Sequence, residues 1–156
     1  MRVYVETTVW SFAFAEDSPD YAASTRQFFD ACRSGRFSTM IGPTVLDELG
    51  RADEPIRTRL VDLVKEIAPQ RLLASSEAIA LSTEFLKHGA VPPSKPDDAS
   101  HVAYAVVAEA DVLVSWNFKH IVNLRRSDKF NAIALFNGYR KGLRIVTPSE
   151  VAYDTE

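Results

Sequence analysis

Short apolar runs alternate along this chain with longer stretches in which apolar residues recur at helical spacing. The β-rich runs predict strands over residues 2–6, 38–41, 72–73, 112–115 and 144–146. The helical spacing predicts helices over residues 19–34, 44–49, 60–67, 75–89, 97–108 and 130–136. Strands separated by helices favour an α/β fold. We predict a three-layer α/β/α sandwich with a central, mostly parallel sheet of about four or five strands.

Acidic residues lie where several of these apolar elements meet polar loops. Glu6 ends the first strand, Asp47 and Glu48 lie on the helix after the second strand, and Asp98 opens a later apolar helix, while Asn117 follows the fourth strand. Carboxylates brought together repel one another unless a cation lies between them, and clustered oxygen ligands suit Mg²⁺ or Mn²⁺. The pattern therefore makes a metal-assisted hydrolase the first hypothesis.

Polar residues at two helix starts predict local caps. Thr7 and Thr8 follow the first strand and are expected to cap a helical turn, with one hydroxyl holding a neighbouring carboxylate. Ser94, with Asp97 three residues later, is typical of a capping box.

Two side chains near these positions have both a structural and a functional interpretation. His101, three residues after Asp98, either orients a site carboxylate or packs as a core histidine. Trp116 either stacks on an unpaired base or closes the core.

Length and composition narrow the class of protein. The chain of 156 residues predicts one domain over residues 1–156, with 46% hydrophobic and 25% charged residues, as in ordinary globular proteins. Its one cysteine, Cys32, excludes an intramolecular disulfide. No apolar run approaches membrane-spanning length, so we expect no membrane association and a cytoplasmic location.

The net charge of −3 is unevenly distributed along the chain. Residues 1–118 contain 11 Lys+Arg and 17 Asp+Glu, a balance of −6, whereas residues 119–144 contain seven basic residues and one acid, a balance of +6. Lys119, Arg125 and Arg126 are therefore candidates for binding RNA phosphates. The alternative is an ordinary solvated surface.

Four segments occur in an order that is informative as a set. They are V-Y-V-E-T-T at 3–8, D-E-L at 47–49, D-A-S-H-V-A at 98–103 and L-V-S-W-N-F-K-H-I at 113–121. This order resembles the PIN domain, a family of metal-dependent ribonucleases that includes the VapC toxins, and the resemblance spans about residues 2–147.

The resemblance implies roles for individual residues. Glu6, Glu48 and Asp98 match three family acids and would hold Mg²⁺ or Mn²⁺. Asn117 falls on the fourth acidic position, where it is a weaker, neutral ligand, and Glu6 replaces the usual Asp. We interpret the Trp-Asn pair as a trait of a subgroup within the family.

The resemblance also implies a function and partners. RNA is the expected substrate, a homodimer the expected assembly, and a small antitoxin protein the partner if the chain is a toxin. Trp10, Phe12 and Phe14, spaced two apart, predict an exposed aromatic contact surface near Glu6. The alternatives are a PIN-like module that binds RNA or protein without cutting, and a metal-dependent phosphatase or DNA nuclease.

Overall fold

Five parallel strands form the central sheet of the protein, and the computed structural model describes residues 1–152. The strands are β1 (Arg2–Val5), β2 (Ser38–Ile41), β3 (Gln70–Arg71), β4 (Val112–Val114) and β5 (Arg144–Val146). They pair in the order β3-β2-β1-β4-β5, and every neighbouring pair is parallel.

Helices cover both faces of this sheet. Within the described residues they are α1 (Thr7–Phe12), α2 (Pro19–Arg33), α3 (Pro43–Gly50), α4 (Ile56–Ile67), α5 (Ser76–Lys87), α6 (Pro96–Val107), α7 (Leu124–Phe136) and α8 (Pro148–Ala152). Val3, Tyr4 and Val5 are all fully buried, and consecutive strand residues point to opposite faces, so neither face is open to solvent. The predicted α/β/α sandwich is confirmed. None of the helices within residues 1–152 is long and apolar enough to cross a membrane.

The strand order reverses at β1, which pairs with β2 on one side and with β4 on the other. The N–H of Glu6 donates to the carbonyl of Val114 at 3.1 Å, so the ends of β1 and β4 lie side by side. In parallel α/β sheets, ligands bind outside the carboxyl ends of the strands at such a reversal. The residues that follow β1 and β4 therefore lie where a site is expected.

Two element boundaries differ from the sequence prediction. The third strand is Gln70–Arg71 rather than residues 72–73, because its pairing with β2 ends at Arg71, and Leu73 is exposed. Helix α7 begins six residues earlier than predicted, where the side chain of Asn123 accepts a hydrogen bond from the N–H of Arg126. Its first turns lack the apolar periodicity on which the prediction depended.

The predicted helix caps are also wrong in detail. Glu6 itself caps α1, since its side chain accepts the N–H of Thr8, and the threonines are part of the helix. Helix α6 has Lys95 as its N-cap, without a side-chain capping bond, so Ser94 does not form the predicted capping box.

The expectation that some of Trp10, Phe12 and Phe14 form an exposed contact surface is wrong for Trp10. Trp10 is fully buried; its Nε1 donates to the carbonyl of Val5 at 3.1 Å, and its ring lies 4.9 Å from that of Phe29. Phe12 and Phe14 are partly buried against the core. Helix α1 can bury them because α2, α3 and α4 surround it on several sides.

Burial of Trp10 predicts a large contribution to stability. We expect Trp10→Ala to lower the free energy of unfolding by about 3–5 kcal/mol, because it leaves a cavity and removes a buried hydrogen bond. Urea unfolding measures this loss. Phe136→Ala is the control, since this ring is 91% exposed and its removal should change stability by less than about 0.5 kcal/mol. Equal effects of the two substitutions would contradict the assigned core.

Candidate active site

Glu6 is a buried carboxylate at the end of the central strand, only 3% exposed. Its Oε1 accepts hydrogen bonds from the hydroxyls of Thr8 (2.6 Å) and Ser115 (2.5 Å), and its Oε2 accepts the N–H of Thr8 (3.1 Å). Burial of an ionised carboxylate is costly unless donors replace the lost water. These three donors stabilise the charge and fix the orientation of the carboxylate.

The two hydroxyls that hold Glu6 are themselves oriented by the backbone after β4. The N–H of Trp116 donates to Thr8 Oγ1 at 2.8 Å, and the N–H of Asn117 donates to Ser115 Oγ at 2.9 Å. A backbone N–H can only donate, so each hydroxyl accepts that bond and directs its own hydrogen to Glu6. The ends of β1 and β4 are thereby linked through one carboxylate.

Glu48, on α3, connects this buried group to the surface. Its Oε1 accepts the hydroxyl of Thr7 at 2.8 Å and lies 2.5 Å from Nε2 of His101. The exposed neighbour, Asp47, points away from the cluster. Within residues 1–152, no hydrogen bond reaches Oε2 of Glu48, so that oxygen retains its capacity to bind a ligand.

His101, on α6, is fully buried and hydrogen bonded through both ring nitrogens. Nδ1 lies 3.0 Å from the hydroxyl of Tyr4, which also accepts the N–H of Gly42 at 3.2 Å. Nε2 lies 2.5 Å from the Glu48 carboxylate, which can only accept. Nε2 therefore carries the hydrogen directed at Glu48, and in the neutral ring the Tyr4 hydroxyl donates to Nδ1.

The electrostatics of this pair favour ionisation of both partners. Burial acts to lower the pKa of His101, but the hydrogen bond to Glu48 and the charges of Glu6, Glu48 and Asp98 outweigh it, so the pKa is raised. Burial likewise acts to raise the pKa of Glu48, but its hydrogen bonds and charge interaction with His101 outweigh that effect and the pKa is lowered. Glu48 is thus kept as an anion.

Asp98 lies in the first turn of α6, beside the cluster. Its Oδ2 lies 3.2 Å from Nδ1 of His120, and the side chain of Asn117 is a polar neighbour. Burial raises the pKa of Asp98, and the charge of Glu48 adds to that, against the opposing influence of His101, His120 and Asn117. A neighbouring cation would favour the charged form of this carboxylate.

Asn117 is placed differently from the sequence expectation of a carbonyl ligand. Its Oδ1 accepts the N–H of His120 at 3.0 Å and so closes the turn after β4. Its side chain also lies close enough to Asp98 to favour the charged form of that carboxylate. In this arrangement Asn117 supports an acid rather than presenting its oxygen to the cluster.

The predicted site residues converge, with Asp98 slightly apart. Ligand atoms of Glu6, Glu48 and His101 all lie within 4.8 Å of one another, whereas Asp98 faces the same region from the wall of an adjoining cleft of about 410 Å³. The cleft is lined by Glu48, Ser94, Lys95, Pro96, Asp97, Asp98, Asn117, Lys119 and His120. The anionic groups of the cluster and the cleft are all carboxylates, and carboxylate oxygens are the ligands that suit a hard divalent cation such as Mg²⁺ or Mn²⁺.

The predicted RNA-binding residues do not share one environment. Lys119 is exposed and lines the cleft. Arg126 donates from Nη1 to the carbonyl of Ala90 at 2.8 Å, a contact that fixes the loop before α6. Arg125 is exposed on α7 and does not line the cleft. A role in RNA binding stays a prediction for all three.

The supporting roles of three residues were not predicted from the sequence. Ser115 holds Glu6, His120 pairs with Asp98, and Tyr4 holds His101. Glu6 directly follows β1 and lies two residues after Tyr4 in extended backbone, so the two side chains point to the same side, which is a signal available from the sequence. Ser115 and His120 belong to the segment after β4 that carries the family resemblance, but nothing local identifies their partners.

Comparison with known families identifies the family of the chain. A model of the PIN domain family matches residues 2–119. The chain belongs to the PIN domain family. Members of this family are usually metal-dependent nucleases, so the acids assembled at the end of β1 lie in the expected context. No curated protein matches the chain.

The family match confirms the resemblance at the level of the PIN domain. It covers β1 to β4, while α7 and β5 lie beyond the matched range, although β5 pairs with β4 and completes the sheet of this PIN domain. The VapC-like subgroup and the Trp-Asn trait stay predictions, as does one domain over residues 1–156.

The donor network around Glu6 predicts a specific loss of stability. Ser115→Ala removes a buried donor to an ionised carboxylate, so we expect the free energy of unfolding to fall by about 1–3 kcal/mol. Ser34→Ala is the control, because that hydroxyl donates only to the carbonyl of Ala31 near the end of α2. Urea unfolding of both variants without added metal tests the difference. A loss at Ser115 no larger than that at Ser34 would contradict the role assigned to this donor.

Proposed function

We propose that this PIN domain is a Mg²⁺- or Mn²⁺-dependent endoribonuclease that hydrolyses phosphodiester bonds of RNA. One observation carries the proposal: the carboxylates of Glu6 and Glu48, from distant parts of the sequence, meet at the strand-order reversal, and Asp98 lies in the wall of the open cleft that Glu48 also lines. Such a cluster is electrostatically unfavourable by itself and favourable around a cation.

Glu6, Glu48 and Asp98 would hold the metal ion. When bound, such an ion supplies Lewis-acid polarisation of a phosphodiester and lowers the pKa of a water molecule. The protein would contribute carboxylates that are already held in position for the metal ion. Thr8 and Ser115 hold Glu6 in one orientation, so little rearrangement is needed when the cation binds.

His101 is proposed to position Glu48 rather than to bind the metal. Its Nε2 hydrogen is engaged by Glu48 at 2.5 Å, and its Nδ1 is held by Tyr4. With Thr7 donating to the same Oε1, the other oxygen of Glu48 is left for the ligand. Lys119, exposed in the cleft wall, is placed to bind a phosphate of the substrate.

The proposed partners follow the same interpretation. We propose RNA as substrate, a homodimer as the assembly, a cytoplasmic location, and a toxin held by a small antitoxin protein as the biological setting. Expression of the protein alone tests the last point, since a toxic ribonuclease should arrest growth, and co-expression of a small protein encoded beside it should restore growth. Unchanged growth together with a strictly monomeric protein would contradict both the toxin and the dimer.

A non-catalytic binding module is the second candidate. The neutral Asn117 at the fourth acidic position favours it, as do the histidines that already pair with Glu48 and Asp98. Calorimetric titration with Mn²⁺ separates the two candidates. A degenerate site should bind Mn²⁺ no more tightly than the Asp98→Ala variant does, whereas a catalytic site should bind it measurably more tightly.

Neutralising the acids should abolish cleavage. We expect Glu6→Gln, Glu48→Gln and Asp98→Asn each to lower the rate of RNA cleavage in Mn²⁺ by at least about 100-fold, because each removes charge at the reacting centre. EDTA should abolish cleavage by the wild type. Asp47→Asn is the matched control, since it removes an acid beside Glu48 that is outside the cluster. Equal cleavage by all variants would overturn the site assignment.

Restoring the fourth acid should exchange stability for metal affinity. In Asn117→Asp a carboxylate replaces the amide donor beside Asp98, so repulsion should lower the melting temperature without metal by about 2–4 °C, the equivalent of about 1 kcal/mol. Mn²⁺ should then bind more tightly, because the site has gained a negative charge. Thermal melting with and without Mn²⁺ measures both effects. A lower affinity for Mn²⁺ together with lower activity would contradict this prediction.

A further inference from the structure

Four aromatic side chains form a cluster next to the cleft. Tyr21 lies 4.7 Å from Trp116 and 6.2 Å from Phe118 between ring centroids, and Phe12 lies 5.8 Å from Tyr21. Trp116 is buried and Phe12 is partly buried, whereas Tyr21 is 43% exposed and Phe118 is 47% exposed. Trp116 and Phe12 thus form the packed part of the cluster, and the rings of Tyr21 and Phe118 lie at the surface.

Trp116 cannot itself serve as the exposed stacking residue that its sequence position suggested. Its Nε1 donates to Thr25 Oγ1 at 2.8 Å, and its backbone N–H donates to Thr8 Oγ1. Rotation of the ring to the surface would break the first bond and leave the buried Thr25 hydroxyl without this partner. Trp116 packs against Tyr21 and Phe118 on their buried side.

The exposed ring of Phe118 belongs to a segment that borders the cleft, and Tyr21 is linked to this segment through its contact with Phe118. Phe118 lies in the chain between Asn117 and Lys119, and both of these residues line the cleft. The carbonyl of Phe118 accepts a hydrogen bond from Nδ2 of Asn123 at 2.8 Å, which holds the turn in place. A cationic side chain and an exposed aromatic ring therefore occur together within one short segment that borders the cleft.

We propose that Tyr21 and Phe118 form a stacking platform for an unpaired base of the RNA strand, with an adjacent phosphate bound by Lys119. This inference rests on the proposed ribonuclease function and assigns two side chains of this chain to the binding of the substrate strand. Aromatic stacking accepts any base, because every base has a π face, whereas bases within a duplex are stacked on one another and cannot offer that face.

The size and charge of this surface favour RNA over a protein partner. Two exposed rings provide far less than the roughly 800 Å² that each partner buries in a stable protein interface. They are, however, sufficient to stack one or two bases. The positive charge of Lys119 beside the rings complements a phosphate.

Steady-state cleavage of a short unstructured RNA in Mn²⁺ tests the platform. We expect Phe118→Ala and Tyr21→Ala each to raise KM by roughly 5- to 100-fold, with kcat changed by less than about 2-fold, because stacking contributes to binding. Tyr21→Phe and Phe118→Trp keep an aromatic ring and should retain a KM near that of the wild type. Phe136→Ala, which removes an exposed ring on α7, is the control and should leave KM unchanged.

The outcomes separate this inference from the function on which it rests. If the wild type cleaves RNA and the alanine variants have its KM, the platform is overturned and the ribonuclease proposal stands. If the wild type neither binds nor cleaves RNA in Mn²⁺, the ribonuclease proposal fails, and the platform fails with it. If Phe118→Ala changes only the oligomeric mass measured by light scattering, the surface binds protein and the platform is again overturned.

Discussion

The burial of the Glu6 carboxylate at the end of β1 is the constraint on which the rest of this site depends. An anion that is 3% exposed must receive hydrogen bonds from the protein, and its donors come from both sides of the strand-order reversal. Thr8 follows on the same chain segment, while Ser115 comes from the end of β4. The hydrogen bonds to the Glu6 carboxylate therefore fix the ends of β1 and β4 relative to each other. They also fix the position of the segment after β4, which carries Asn117 and Lys119.

The remaining acids are held by a second set of donors, dominated by histidine. His101 is fully buried between Tyr4 and Glu48, and His120 faces Asp98. Positive or polarisable rings between carboxylates reduce their mutual repulsion, so the acids can be held close together in the absence of a cation. The same contacts leave one oxygen of Glu48 accessible, and this makes the arrangement compatible with a ligand.

The neutral residue at the fourth acidic position, Asn117, is another polar neighbour of the acids. Asn117 accepts a backbone hydrogen bond from His120, and its amide favours the charged form of the neighbouring Asp98, which a second carboxylate would not do. Substitution of an acid by an amide thus removes a charge and adds a donor. The consequence is a site with three carboxylates whose orientations are set by polar neighbours, next to a surface that combines exposed aromatic rings and a lysine.

Local pattern was sufficient to predict most of the fold. Apolar runs located β1, β2, β4 and β5, and helical spacing located the long helices. The order of acids identified the family. Each of these features leaves a signal within a few neighbouring positions of the chain. The local pattern failed to predict strand boundaries and burial that depend on contacts with distant segments of the chain. Pairing with β2 fixes β3 at Gln70–Arg71, and packing from several helices buries Trp10.

The same division applies to the site. The sequence by itself predicted Glu6, Glu48 and Asp98 as site residues from their places at strand ends and helix starts, and the structure brings ligand atoms of Glu6 and Glu48 together. Only the tertiary structure decided their partners, since Ser115 is 109 residues from Glu6 and His101 is 97 residues from Tyr4. Hydrogen bonds of this kind have no periodicity along the chain, because they form only after the sheet has brought those residues together.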